Sequence, residues 1–255
     1  MSYAGNIFYV VSRGAEEQGG GRAFPLVLIH GAGGSRLNWP PELRRLERAT
    51  VYTLDLPGHG RSSGKSRDTI EEYAADVAAF LDAVGIKRAV LVGHSMGGAI
   101  ALTMALDFPE RVAGLVLVAT GARLRVVPAI LKQIPIDFEA ALDATTRYAW
   151  GPGVSSELVE LGRESLREAG ADVLLNDLRA CDRFDVMERL GEIDAPTLVV
   201  SGSADRLAPV KYARHLAERI AGAQIAVLEG AGHMVMLERR AKVADAVARF
   251  LDRLE

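Results

Sequence analysis

The chain has 255 residues, 49% of them hydrophobic, which is enough for one large or two small domains with a sizeable core. Its 30 basic and 33 acidic residues are mixed along the sequence and leave a formal net charge of -3, so neither nucleic acid nor an anionic membrane surface is an expected partner. The sequence has a single cysteine, Cys181, and shows neither a leader-like N-terminus nor an apolar stretch of membrane length. These features favour a cytoplasmic protein without stable membrane insertion.

Short apolar runs of strand length alternate with longer segments of helical period. The later runs are rich in Val, Leu and Ile with little polar alternation, which is typical of parallel strands buried on both faces. This rhythm predicts a doubly wound, mostly parallel α/β sheet. The predicted strands are residues 7–11, 26–29, 51–54, 89–92, 115–118, 197–200 and 225–228.

Two connections between the early strands can be interpreted from local residues. The glycine-rich segment 18–21 is predicted to be a hairpin loop, because no helix follows it that could cradle a phosphate group. The segment 69–85 has a helical period, with Asp68 or Thr69 able to cap its start and Gly85 suited to its end.

The pentapeptide GHSMG, residues 93–97, follows a predicted buried strand and precedes small apolar residues suited to a helix. Gly93 and Gly97 flank Ser95 at a distance of two residues, where a sharp turn would leave no room for side chains. This pattern is typical of the nucleophile elbow, which projects the serine hydroxyl away from the sheet. The turn also puts the serine at a helix N-terminus, where N–H groups and the helix dipole favour developing negative charge. We therefore predict that Ser95 is a nucleophile.

No strand is predicted between residues 121 and 187, where prolines and glycines separate several helical patterns. Helices inserted between two strands of a parallel sheet are expected over its carboxyl edge, where ligands bind in open α/β folds. The prediction is a core of residues 1–120 and 188–255 with a helical cap of residues 121–187. Apolar side chains of the cap, among them Trp150, Leu131 and Phe138, are candidate substrate contacts. The alternative is a helical block that packs only for stability.

Five further motifs share the order and spacing of a known family. Together with the elbow they resemble the α/β-hydrolase family, in its serine-nucleophile, carboxylesterase-like branch, over nearly the whole chain. The resemblance implies an α/β-hydrolase fold, and it specifies the fold more closely than the substrate. The motifs are HGAGG (30–34), DLPGHGRS (55–62), FPERV (108–112), PTLVVSGSADRLAP (196–209) and GAGHMVMLE (230–238).

A serine hydroxyl needs a base within hydrogen-bond reach, and the base needs a third group to orient it. The resemblance implies that His233, in a glycine-flanked loop, is this base and that Asp205, after a predicted strand, is the orienting acid. His94 adjoins the serine but is predicted to pack away from it. His30 and His59 are predicted to be structural or to lie at the pocket rim.

The resemblance assigns the oxyanion to two backbone N–H groups, those of Ala32 and Met96. The implied activity is hydrolysis of carboxylic esters through an acyl-enzyme, without a metal or organic cofactor. The apolar residues of the predicted cap favour small substrates with short to medium apolar acyl groups. Haloalkane dehalogenases and epoxide hydrolases of similar sequence are excluded because they use an aspartate nucleophile, whereas residue 95 of this chain is serine. A lactonase or a carbon–carbon bond hydrolase of the same fold stays an alternative, although Ser35 and Met234 depart from the carbon–carbon pattern. A non-catalytic small-molecule receptor is the alternative from another class.

Overall fold

The apolar runs of the sequence form one sheet. A computed structural model of the protein describes residues 2–14 and 24–254, and the predicted loop at 18–21 lies outside these described residues. Across the described residues the sheet has eight strands. They are β1 (Ser2–Ala4), β2 (Ile7–Ser12), β3 (Leu26–Ile29), β4 (Val51–Asp55), β5 (Ala89–His94), β6 (Val112–Val118), β7 (Thr197–Gly202) and β8 (Gln224–Leu228).

The strands lie in the order β1-β2-β4-β3-β5-β6-β7-β8. The pairs from β4 to β8 are parallel, and only β1 and β2 run antiparallel to their neighbours. The sequence therefore predicted the mostly parallel sheet correctly. It missed β1, because three mostly exposed residues at an edge are too few to show a hydrophobic pattern.

Helices flank the sheet on both faces. They are α1 (Pro41–Arg44), α2 (Ile70–Ala83), α3 (Met96–Asp107), α4 (Pro128–Gln133), α5 (Phe138–Ala149), α6 (Ser156–Ala169), α7 (Ala171–Arg183), α8 (Val210–Arg219), α9 (Val235–Glu238) and α10 (Arg240–Leu251). Helix α2 begins as predicted, with the Thr69 hydroxyl accepting a hydrogen bond from the Glu72 N–H, and Gly85 follows its end at a φ of 74°.

Alternate residues of each central strand supply two separate hydrophobic layers. In β3, Val27 and Ile29 pack with α2 and α3, whereas Leu26 and Leu28 pack on the opposite face with Trp39 and with α10. All these strand side chains are completely buried. This alternation follows from the pleat of a strand. It gives a three-layer core in which the carboxyl ends of the parallel strands share one edge.

Helices α4 to α7, which we call the inserted helices, lie between β6 and β7 in the chain. They bury a small cluster of their own, made of Ile134, Ala141, Leu142 and Leu174. Ala32, in the loop after β3, packs against this cluster. The inserted helices therefore contact the carboxyl edge of the sheet, and the division of the chain into a core and a cap remains a prediction. None of the helices in the described part of the chain is long and apolar enough to span a bilayer.

Candidate active site

Ser95 lies at the apex of a strained turn between β5 and α3. Its φ of 52° and ψ of −114° are unusual for a residue with a side chain. Neighbouring groups hold the turn in place: the Ser95 N–H donates to the Val118 carbonyl at 2.9 Å, and the Thr120 hydroxyl donates to the Ser95 carbonyl at 2.8 Å. The Ser95 hydroxyl makes no capping bond to α3. It is therefore not engaged in stabilising the helix.

The glycines around Ser95 allow this turn by bringing backbone against backbone. A methyl group at Gly93 would overlap the carbonyl of Gly97, and one at Gly97 would overlap the carbonyl of Ile29 in β3. A methyl group at Gly98 would come within 2.5 Å of the Thr120 side chain. These contacts explain why the sequence places small residues around Ser95.

His233 and Asp205 form a buried pair. The His233 Nδ1 lies 2.9 Å from the Asp205 Oδ2, and since a carboxylate only accepts, the ring proton is assigned to Nδ1. The other carboxylate oxygen accepts from the N–H groups of Leu207 and Ala208 at 2.8 and 2.9 Å. Burial acts to raise the pKa of Asp205, but His233 and these two amides lower it overall. Asp205 is thus held as a carboxylate, and Nε2 of His233 is left to accept a proton.

His94 supports the backbone of the loop that carries His233. Its Nε2 donates to the His233 carbonyl at 3.1 Å, and the two imidazole rings are 4.9 Å apart. Burial and the neighbouring His233 lower the pKa of His94 to about 3. His94 is therefore a neutral packing group, in keeping with its predicted role, and it also lines the cavity described below.

The loop of His233 is also attached to the inserted helices. The N–H groups of His233 and Met234 both donate to the carbonyl of Ala149, the last residue of α5, at 2.8 and 3.2 Å. The Glu238 carboxylate accepts from the N–H groups of Gly151 and Gly232, which lie in the two segments that meet here. This is one attachment point between the inserted helices and the candidate site.

The two amides predicted to bind an oxyanion lie on either side of Ser95. The Met96 N–H is at the first position of α3, where a helix offers no internal partner. Ala32 lies in the glycine-rich loop after β3 and lines the cavity. Among the described residues, neither amide donates a hydrogen bond to another protein group. Both donors are therefore available to a ligand.

Ser95, His233 and Ala32 all line one cavity of about 120 Å³. Its remaining wall is mainly apolar and comes from α5, α6 and α7 as well as from loops of the sheet edge. The other lining residues are Gly31, Gly34, Asn38, His94, Thr145, Thr146, Ala149, Trp150, Gly162, Leu166, Leu174, Leu178, Leu207 and Met234. A small, mostly apolar space thus adjoins the serine, the histidine and one of the two amides.

The predicted substrate contacts are placed differently from one another. Trp150 is buried and lines the cavity, where it packs against Gly162. Leu131 and Phe138, which the sequence also suggested, do not line this cavity. Phe138 packs against the inserted helices' own cluster, and Leu131 is half-buried on α4. The helical period of the sequence predicts which face of a helix is apolar, but it does not predict which part of the protein packs against that face.

Asp177 was missed by the sequence analysis and forms another attachment point. This buried residue of α7 accepts hydrogen bonds from the Gly33 N–H at 2.8 Å, from His59 Nε2 at 2.7 Å and from the Tyr73 hydroxyl at 2.6 Å. His59 Nδ1 lies 3.0 Å from the Pro57 carbonyl, so both ring nitrogens face acceptors. Burial opposes the charge, but Asp177 raises the pKa of His59 overall.

His30 and His59 have structural positions rather than places at the cavity. Neither lines it, and the two rings pack 4.8 Å apart beneath the glycine-rich loop. His30 Nε2 accepts from the Leu56 N–H at 3.0 Å, and burial together with the charge of His59 lowers the pKa of His30 to about 3. Within residues 2–14 and 24–254, no three His, Cys, Asp or Glu side chains converge in a way that could hold a metal ion.

Comparison with known proteins relates these features to characterised folds. A sequence profile of the α/β hydrolase family matches residues 26–246. The structure of a thermophilic esterase is 35% identical with a TM-score of 0.83, over 97% of this chain and 98% of that one. The enol-lactonase from Burkholderia xenovorans LB400 is 26% identical with a TM-score of 0.88, over 96% of each chain.

A curated relative is longer than this chain. The dihydrolipoyllysine-residue acetyltransferase component of the acetoin cleaving system of Pseudomonas putida is 36% identical over 252 residues. The match covers 92% of this chain but 65% of that protein, so the chain spans less than two thirds of this relative's length.

Proposed function

Because this chain belongs to the α/β-hydrolase family, we propose that it is a serine hydrolase that cleaves carboxylic esters of short to medium apolar acyl groups. One observation carries the proposal: Ser95, at a strained apex, shares a small cavity with His233, whose other ring nitrogen is bonded to the buried Asp205. A serine, a base and an orienting acid are the groups that acyl transfer requires.

The proposed reaction has two halves. As Ser95 Oγ attacks the ester carbonyl, its proton passes to His233 Nε2, and the oxyanion is stabilised by the N–H groups of Ala32 and Met96. Collapse of this intermediate breaks the ester bond, and His233 returns the proton to the departing alcohol. A water then gives a proton to His233 as it attacks the acyl-enzyme. Collapse of the second intermediate breaks the bond to Ser95 Oγ, which takes the proton back from His233, and the acid is released. Asp205 orients His233 and stabilises its cation in both halves.

The wall of the cavity supports a preference for apolar acyl groups. The lining includes the large apolar side chains of Trp150, Leu166, Leu174 and Leu178, and none of the lining residues is Lys, Arg, Asp or Glu. Each buried methylene contributes about 0.8 kcal/mol, which corresponds to about fourfold in kcat/KM. We therefore expect kcat/KM to rise with acyl length until the small cavity is full, and then to fall.

Labelling with a fluorophosphonate probe tests the proposal directly. Wild type should be labelled at Ser95 and should hydrolyse p-nitrophenyl esters. Ser95→Ala should lose both properties while keeping the circular dichroism spectrum of the wild type. His233→Ala added to Ser95→Ala should then cost little more, because the members of such a unit do not act additively. An unlabelled wild type without esterase activity would instead favour the receptor alternative.

A lactonase is the second candidate, favoured by the likeness to the enol-lactonase structure. The same serine chemistry opens a lactone, but the alcohol then stays attached to the acyl-enzyme. Comparing kcat/KM for a linear ester and for a lactone of the same acyl length separates the two. A larger value for the lactone would assign the activity to the second candidate.

A further inference from the structure

A single buried carboxylate joins α7 to two loops of the sheet edge and to helix α2. Asp177 accepts from Gly33, in the loop after β3, from His59, in the loop after β4, and from Tyr73, in α2. The side chains of Asp177 and His59 are completely buried. Removing two charges from water is unfavourable unless their hydrogen-bonding capacity is matched, and apolar replacements are often at least as stable. The pair is therefore poorly explained by stability alone.

The bond to Gly33 acts on the loop that carries one proposed oxyanion donor. Gly33 follows Ala32 directly, so its N–H belongs to the same peptide unit as the Ala32 carbonyl. Within the loop, the Gly31 carbonyl accepts from the Gly34 N–H at 3.1 Å and from His30 Nδ1 at 2.9 Å. The bond from Gly33 to Asp177 attaches the loop to the inserted helices. Gly33 has a φ of 60°, and a methyl group there would come within 2.8 Å of Leu166 and 3.0 Å of Leu174.

We infer that Asp177 is a positioning residue, which orients the Ala32 N–H toward the oxyanion by holding the neighbouring Gly33 N–H. The inference rests on the proposed function, because it assumes that Ala32 donates to an oxyanion. The carboxylate acts through the loop and not on the substrate, since Asp177 does not line the cavity. A donor that is displaced by a fraction of its hydrogen-bond length loses much of its effect in the transition state.

Tyr73 offers a matched control for this role. Its hydroxyl bonds to Asp177 Oδ1, whereas the Gly33 N–H bonds to Oδ2. Tyr73→Phe removes a buried hydrogen bond from the same carboxylate without touching the glycine-rich loop. If the Asp177 variants act by loosening the whole cluster, Tyr73→Phe should lower the activity as well. If they act only on the glycine-rich loop, Tyr73→Phe should leave the activity unchanged.

The kinetic test compares three variants with p-nitrophenyl esters. Asp177→Leu should lower kcat by about tenfold to a hundredfold with a much smaller change in KM, since removal of a whole oxyanion donor costs about 10² to 10³ in kcat. Asp177→Asn should recover most of the rate, because its amide oxygen still accepts from the Gly33 N–H. Tyr73→Phe should keep a kcat within about twofold of wild type, because a lost oxyanion donor is what lowers kcat.

Hydrogen–deuterium exchange gives a readout that does not depend on turnover. Amides in the segment 30–38 should exchange faster in Asp177→Leu than in wild type, and Tyr73→Phe should leave this segment unchanged. If the leucine variant does not fold, Asp177→Ser takes its place with the same expectations, because the shorter side chain does not reach Gly33.

Three results would overturn the inference: an unchanged kcat in Asp177→Leu, equal losses of kcat in Asp177→Leu and Tyr73→Phe, or an equally low kcat in the leucine and asparagine variants. The Ser95→Ala variant separates this failure from that of the proposed function. If Ser95→Ala keeps its turnover, the proposed function fails. If it loses turnover while Asp177→Leu does not, only the role of Asp177 fails.

Discussion

Ser95, the proposed nucleophile, has a backbone conformation that residues with side chains rarely adopt. Such strain typically costs about 1 to 3 kcal/mol and is found at sites where the surrounding structure enforces it. Here the surrounding structure includes the bonds from Ser95 to Val118 and from Thr120 to Ser95. We therefore expect the backbone conformation of Ser95 to lower the free energy of unfolding while it fixes the position of the side chain.

Ser95→Gly and Ser95→Ala test this strain, since both lack the hydroxyl and only alanine keeps the Cβ. We expect the glycine variant to have a free energy of unfolding about 1 kcal/mol above that of the alanine variant, because glycine tolerates a positive φ. Urea denaturation measures the difference. An alanine variant that is the more stable of the two would contradict a strained apex.

His59 is the titratable member of the buried pair with Asp177. Burial acts to lower its pKa, but the charge and hydrogen bond of Asp177, the Pro57 carbonyl and the charge of Asp55 raise the pKa overall. The ring of His30 is adjacent and neutral at pH 7, with a pKa of about 3. Tyr73 shares the carboxylate, and burial and Asp177 raise the pKa of its phenol. His59 is thus a group of this cluster whose protonated form is favoured by the folded state.

This pair should make the stability of the fold depend on pH. Because the pKa of His59 is higher in the folded state, the pair stabilises fully below the unfolded value of about 6.5, and this contribution is lost as pH rises through the folded pKa. We expect wild type to exceed Asp177→Asn in free energy of unfolding by a margin that shrinks as pH rises above about 6.5. Urea unfolding across a pH series measures it, and a margin independent of pH would exclude the ion pair.

At the scale of elements, the junction of β5 and α3 depends on the close approach of two backbones. Gly97 of α3 faces the carbonyl of Ile29 in β3, and no rotamer change can make room for a methyl group there. We expect Gly97→Ala to lower the free energy of unfolding by about 1 to 3 kcal/mol, as overpacking does elsewhere. Gly191→Ala is the control, because nothing lies within 4 Å of a methyl group at that position. Equal stability of the two variants would mean that the helix can move away from β3.

The wall formed by the inserted helices should set the acyl length that the site accepts. Trp150→Ala enlarges the cavity, so the acyl length of highest kcat/KM in a p-nitrophenyl ester series should increase, with about fourfold gained for each newly buried methylene. Leu131→Ala is the control, because Leu131 does not line the cavity. Trp150→Leu serves as a milder variant if the alanine variant unfolds. An unchanged length preference in both tryptophan variants would remove Trp150 from the substrate site.

The sequence predicted the strands and the elbow because their signals are local. Buried strands such as β5 and β6 are largely apolar runs, and a serine between spaced glycines, after such a run and before small helical residues, identifies the turn. Asp177 could not be found in this way, since the Gly33 N–H that it binds is 144 residues away. The one local indication of its role is that Asp177 lies on the same helix as Leu174 and Leu178, which line the cavity. The residues that Leu131 and Phe138 pack against could not be predicted either, because a helical pattern carries no information about contacts that are distant in the sequence.

For the molecule as a whole, the inserted helices and the sheet edge are not independent parts. The Ala149 carbonyl holds the backbone of His233, and the Asp177 carboxylate holds the loop of Ala32. One attachment point thus lies on the side of the proposed base and the other on the side of the proposed oxyanion donor. Rearrangement of the inserted helices would be transmitted to both sides of Ser95.

This double attachment limits how the protein can be recombined with its relatives. Exchanging the segment 128–183 for that of another hydrolase would replace one wall of the cavity, but it would also remove the Ala149 carbonyl and the Asp177 carboxylate, which hold the loops of the proposed base and oxyanion donor. A chimera would therefore need an acid at the place of Asp177 and a helix that ends at the place of Ala149. The segment that gives the cavity its shape is, for this reason, not a freely interchangeable module.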